Sequence, residues 1–98
     1  MPKFRHKKVK REHAVLPAIE PGLAQLAKSE AVDAIIPGPI RRKHGGATGW
    51  SIQYETTTGV KLLARSPGAV QEVFVVSRDP KAVIRHAAES GLVSASQD

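Results

Sequence analysis

The chain has 98 residues, of which 41% are apolar, with no cysteine and a net charge of +6. That is one globular domain with a modest core, too apolar for a disordered chain. The lack of cysteine excludes disulfides, thiolate metal ligands and cysteine nucleophiles, and no stretch nears the roughly 18 consecutive apolar residues that a membrane helix needs.

The charge is concentrated in two places. Residues 1–13 carry Lys3, Arg5, Lys7, Lys8, Lys10 and Arg11 against Glu12 alone, and Arg41, Arg42 and Lys43 form a second group. The rest of the chain is close to neutral. Residues 1–13 show neither a helical nor a strand period and are expected to form a flexible basic arm. No apolar stretch follows to make a secretory signal, so a cytoplasmic location is expected.

The domain itself is expected over residues 14–91, opening with Val15, Leu16 and Ile19 between Pro17 and Pro21. Leu23, Leu26, Ala27 and Glu30 space one face of a short helix over about 21–30, with Pro21 in its first turn. Val32 to Ile36 predicts a strand that Pro37-Gly38-Pro39 ends, because proline cannot donate to a sheet ladder. Arg41 to Lys43 and the run His44-Gly45-Gly46-Ala47-Thr48-Gly49 are then expected to form a basic, glycine-rich loop.

Trp50, Ile52 and Tyr54 alternate with Ser51, Gln53 and Glu55, which predicts a half-buried strand whose two aromatics serve either the core or a base-stacking platform, with the core favoured. Thr56-Thr57-Thr58-Gly59 reads as a hairpin turn with Gly59 at positive φ. On the return strand Val60, Leu62 and Ala64 point inward, and Lys61, Leu63 and Arg65 point outward. Ser66-Pro67-Gly68 is a second turn. The apolar run Val70 to Val76 predicts a central strand.

A second helix has both its signals: Asp79 as N-cap with Pro80 at its first position, and Gly91 just past its end. Val83, Ile84, Ala87 and Ala88 line its inner face, with His86 expected on the exposed side. Residues 92–98 read as a frayed tail. The sum is an α+β fold, a two-layer sandwich in which a mainly antiparallel sheet of about four strands carries two helices on one face.

Catalytic signatures are missing: there is no P-loop, dinucleotide fingerprint, nucleophile elbow or HExxH motif, so a non-enzymatic protein is expected. Glu55 and Glu72 are the one pair of strand carboxylates that could in principle face each other, and solvent-facing strand glutamates are far commoner. Clustered Lys and Arg neutralise phosphates and release counterions, so the favoured partner is nucleic acid, RNA ahead of DNA, with ribosome association compatible. The contact residues expected are Lys3, Phe4, Arg5, Lys7, Lys8, Lys10 and Arg11 in the arm, Arg41, Arg42, Lys43 and His44 in the loop, and Lys61 and Arg65 on the outer sheet face. Phe4 has no core role within the arm and suits base stacking. No helix-turn-helix, KH or RNP signature is complete, so phosphate and shape contacts are expected rather than base readout. No cofactor is required.

The alternative is a divalent metal such as zinc held by His6, Glu12 and His13, against which the surrounding positive charge works. A third reading has a sheet edge recruiting a protein partner.

Arg11-Glu12-His13, Ile35-Ile36-Pro37-Gly38 and above all the run from Thr58 to Ser77 resemble an uncharacterised prokaryotic family described only as predicted metal-binding proteins. The resemblance covers roughly residues 11–88. It implies a bacterial or archaeal cytosolic protein, and any metal it implies would fall on His13 with His6 or His44.

Overall fold

The computed structural model describes residues 13–93. The arm residues Lys3, Phe4, Arg5, His6, Lys7, Lys8, Lys10, Arg11 and Glu12, and the tail from residue 94, lie outside the described residues. The described chain opens with a 3-10 turn over Pro17–Ile19, then runs α1 Glu20–Ala27, β1 Ala34–Arg42, β2 Gly49–Thr56, β3 Gly59–Ser66, β4 Ala69–Val76 and α2 Pro80–Glu89. The four strands form one antiparallel sheet in the order β1-β4-β3-β2. This is the α+β architecture that the pattern predicts, with the apolar β4 in the interior of the sheet.

One face of the sheet makes the core. Ile35, Val60, Leu62, Ala64, Val73 and Val75 are buried there beneath Ile19, Leu23 and Leu26 from the first helical segments and Val83 and Ala87 from α2. Their opposite numbers across the sheet, such as Ile36, Leu63, Phe74 and Val76, are only half-buried. The helices therefore cover one face and leave the other open. Trp50 packs against the core as expected; its ring lies so close to Gly22 of α1 that a Cβ there would stand 2.6 Å from it.

α2 starts as its sequence predicts. Asp79 accepts the Ala82 N–H at 3.3 Å, Pro80 occupies the first turn, and Gly91 takes φ +80° just past the Ser90 C-cap. α1 departs from expectation by ending at Ala27 rather than near residue 30. The Ser29 hydroxyl accepts the Ala31 N–H at 3.1 Å and offers the backbone a turn in place of another helical step. His86, expected on the exposed side, is half-buried: its Nε2–H donates to the Gln25 carbonyl at 2.8 Å and ties α2 to α1.

β1 departs furthest. It does not stop at Pro37-Gly38-Pro39 but continues to Arg42. Proline is tolerated because β1 is an edge strand, with a free side that needs no donor. The register shifts by one residue between Pro37 and Ile40: Pro37 pairs with Val73, but Ile40 pairs with Gln71. One extra residue is accommodated there as a β-bulge.

Gln71 fills the bulge. It is fully buried on the helix-covered face of β4. Its Nε2 donates to Gly38 O at 2.7 Å and to Ala14 O at 2.8 Å, while its Oε1 accepts the Leu16 N–H at 3.1 Å. One carboxamide thus satisfies backbone groups of two segments far apart in the chain, and no buried side-chain polar atom is left unpaired among the described residues.

Gly59 serves a different purpose from the one the turn suggested. Its φ is not positive. What it lacks is room, since a Cβ would collide with the Val75 carbonyl and stand 2.7 Å from the Phe74 ring. The turn is held instead by Thr56, whose hydroxyl accepts the Thr58 N–H at 3.1 Å and donates to Gly59 O at 3.2 Å.

Replacing Gln71 by Ala orphans Ala14 O, Gly38 O and Leu16 N together. At about 1–3 kcal/mol per buried group left unpaired, relieved in part by entering water, the expected loss is about 3 kcal/mol of unfolding free energy. Urea denaturation checks it, and an unchanged midpoint would contradict the role given to this side chain.

Candidate nucleic-acid interface

The β1 bulge decides where Arg41 points. Without the extra residue Arg41 would stand opposite Ala69, on the helix-covered side. With it, Arg41 pairs with Val70. A one-residue shift exchanges the two faces of a strand. Arg65 of β3 also pairs with Val70 from the other side. Arg41 and Arg65 thus flank Val70 on the open face, about 10 Å apart by two strand spacings.

Both arginines are exposed, as are Arg42, Lys43 and His44. Among the described residues no ion pair engages Arg41, Arg42, Lys43 or Arg65. Arg41 and Arg42 belong to the end of β1, not to a loop as the sequence suggested, so their backbone is fixed by the ladder to β4. Lys43 and His44 begin the loop proper. That loop is stitched to the β3–β4 turn, the Lys43 N–H donating to Gly68 O and the Gly68 N–H to Gly45 O, each at 3.0 Å. Gly68 takes φ +82° behind Pro67, the type II turn geometry, and Gly45 takes φ +63°.

The two strand ends and the loop enclose a groove of about 340 Å³ walled by Arg41, Arg42, Lys43 and Arg65, with Leu63, Val70 and Glu72 contributing the rest of the lining. A second depression of about 270 Å³ continues it between the glycine-rich loop and the Ser66–Ala69 turn. The floor is a rigid sheet, the walls are cationic, and only Glu72 brings an acidic group.

Lys61, expected to extend the basic surface, contributes little free charge. Its Nζ lies 3.3 Å from Glu72 Oε1 on the neighbouring strand. Glu72 therefore faces Lys61, and Glu55 pairs with Lys81 of α2 at 3.2 Å, so the two carboxylates do not face each other. Tyr54 overturns its expected core role. β2 has its own bulge, between Ile52 and Tyr54, which sets Tyr54 opposite Lys61 on the open face. Tyr54 is 52% exposed, and the Lys61 ammonium stands 5.6 Å from the centre of its ring. Strict alternation places it inward, and nothing in the local sequence marks the extra residue.

Gln71 also ties the start of the described chain to β4. Ala14, the second described residue, is bonded to the residue next to Val70. That contact is made on the helix-covered face of the sheet, the side opposite Arg41 and Arg65. For a metal, no three His, Asp or Glu side chains converge among the described residues. His13 is exposed, and His86 is committed to Gln25 through Nε2. The described residues alone do not fit a metal centre. Nor is any described helix long and apolar enough to cross a membrane.

No curated protein and no solved structure matches the chain. A protein family does, over residues 4–89: the one described as "Predicted metal-binding protein (DUF2103)". The chain belongs to that uncharacterised family.

The Lys61–Glu72 contact predicts a pH effect. Burial lowers the Lys61 pKa, but the hydrogen bond and charge of Glu72, joined by smaller contributions from Tyr54, outweigh it and hold the ammonium above its usual 10.5. A raised value in the folded state adds stability below pH 10.5, which is lost as pH climbs through the folded value. Lys61→Met is expected to cost about 0.5 kcal/mol at neutral pH, small because the pair is partly solvated. The gap from the parent should close in strongly alkaline solution; a gap independent of pH would refute the assignment.

Proposed function

Within that family, we propose that this chain is a non-enzymatic nucleic-acid-binding protein of the cytoplasm, gripping phosphates at the Arg41–Arg65 end of its open sheet face. The observation that carries the reading is the β1 bulge, which turns Arg41 to the side where Arg65 stands and leaves both without an acidic partner among the described residues. Two planar guanidinium forks over a rigid floor suit bidentate phosphate contacts. Lys43 and His44 stand beside them, and the basic segment Lys3 to Arg11 adds further positive charge to the chain. A cluster of cations held together without counter-charges costs folding energy, and binding a polyanion recovers it.

RNA is favoured over duplex DNA. α1 and α2 are both used to cover the sheet, Lys81 of α2 is tied to Glu55, and the outer side of α2 also carries Glu89. Neither helix resembles one free to enter a major groove.

A second reading comes from the family description. A divalent cation such as zinc would fall to His6, Glu12 and His13, of which only His13 is among the described residues.

Binding is expected to weaken steeply with salt. Arg41→Ala with Arg65→Ala should lower the slope of log affinity against log salt by about 1.4 for a single strand, because two phosphates are then no longer neutralised. Lys81→Ala with Arg85→Ala should leave that slope nearly unchanged. Fluorescence anisotropy on labelled RNA at several salt concentrations measures both, and equal effects from the two pairs would displace the site from this groove. The arginine variant should melt no lower than the parent. For the metal, elemental analysis of untagged protein is expected to find no stoichiometric zinc; one zinc per chain, removed by His13→Ala, would establish the second reading instead.

A further inference from the structure

The open sheet face is divided by charge. At one end Arg41 and Arg65 flank Val70 without an acidic partner among the described residues. Four residues further along β4, about 13 Å at strand rise, the next part of the face is uncharged overall. There Lys61 and Glu72 neutralise each other, and Tyr54, Lys61, Phe74 and Ile36 form a row across the four strands. Tyr54 is more than half exposed, and the Phe74 ring lies close enough over Gly59 to leave no space for a Cβ.

We infer that this face is a stacking platform for single-stranded nucleic acid, with bases on the Tyr54–Phe74 row and phosphates held by Arg41 and Arg65. The inference rests on the nucleic-acid reading above and names its ligand class. An anionic backbone carrying flat, uncharged rings matches a surface with cations at one end and aromatics on a neutral middle. A base pair inside a duplex keeps its rings stacked on its neighbours and cannot lie on the sheet; unpaired bases can.

Other occupants fit less well. A second copy laid face to face would bring four arginines and, from this face, no carboxylate except Glu72, which already serves Lys61. The chain's own basic arm has the wrong sign for the arginine end. Both edge strands of the sheet are bulged, and the two bulges supply Arg41 and Tyr54 to this one face. Bulges of that kind re-aim side chains.

The test titrates the full chain into a labelled uridine dodecamer and into an RNA duplex of equal length, at two salt concentrations. The single strand should bind more tightly. Tyr54→Ala should weaken single-strand binding by about 5- to 140-fold, the range for removal of one stacked base, without changing the salt slope. Tyr54→Phe should restore it, and neither substitution should move duplex affinity. Tyr54→Leu keeps an apolar group on the strand and should weaken binding like Ala, which guards against a folding defect in the smaller variant.

Single-strand affinity unmoved by Tyr54→Ala and Tyr54→Leu, or equal weakening on both probes, overturns the platform while leaving the phosphate site standing. Failure of both probes to bind at low salt overturns both ideas. A dimer in sedimentation equilibrium that Tyr54→Ala dissociates would assign the face to a second copy, and tighter RNA binding after removal of residues 1–12 would assign it to the arm; each also overturns the platform.

Discussion

The buried carboxamide of Gln71 is the contact on which the rest of the molecule's surface depends. A bulge in an edge strand leaves backbone groups without ladder partners, and a buried orphan of that kind is costly. Gln71 meets the Gly38 carbonyl, and it holds Ala14 and Leu16 with its remaining capacity. An apolar residue at that position would pack equally well but could not stabilise the bulge. With the bulge in place the register of β1 advances by one, and Arg41 comes out on the open face. A single polar group in the core thereby sets the position of a charge on the surface.

The two edges of the sheet behave alike. β1 and β2 each carry one extra residue, and each delivers a side chain to the face that the helices leave bare. Bulges also twist an edge away from regular pairing, and prolines in β1 remove donors from its free side, so the exposed edges are poor templates for adding another strand. That weakens the idea of a partner recruited by edge pairing and shifts attention to the open face. There the charge is segregated: the arginines have no acidic partner among the described residues, whereas Lys61 is held by Glu72.

Most of the fold was legible where the signals are local. The helix over 80–89 follows from Asp79, Pro80 and Gly91, each acting within a turn of its own position. The β3–β4 hairpin follows from Pro67-Gly68 between two alternating segments. The errors fall where a distant residue decides. Pro37-Gly38-Pro39 reads as a stop unless the strand is known to be an edge. Tyr54 reads as core unless the bulge before it is known. His86 reads as exposed until α1 supplies the Gln25 carbonyl.

The sequence by itself determined the fold class, the place of β4 inside the sheet, the limits of α2, the family and the concentration of positive charge in two segments, because composition, periodicity and capping are properties of neighbours in the chain. Only the tertiary structure decided that Arg41 and Arg65 share a face, and that Lys61 is neutralised while they are not. Each of those outcomes turns on strand register, and the register of β1 is set by a bulge whose backbone is satisfied by Gln71 from more than thirty residues away.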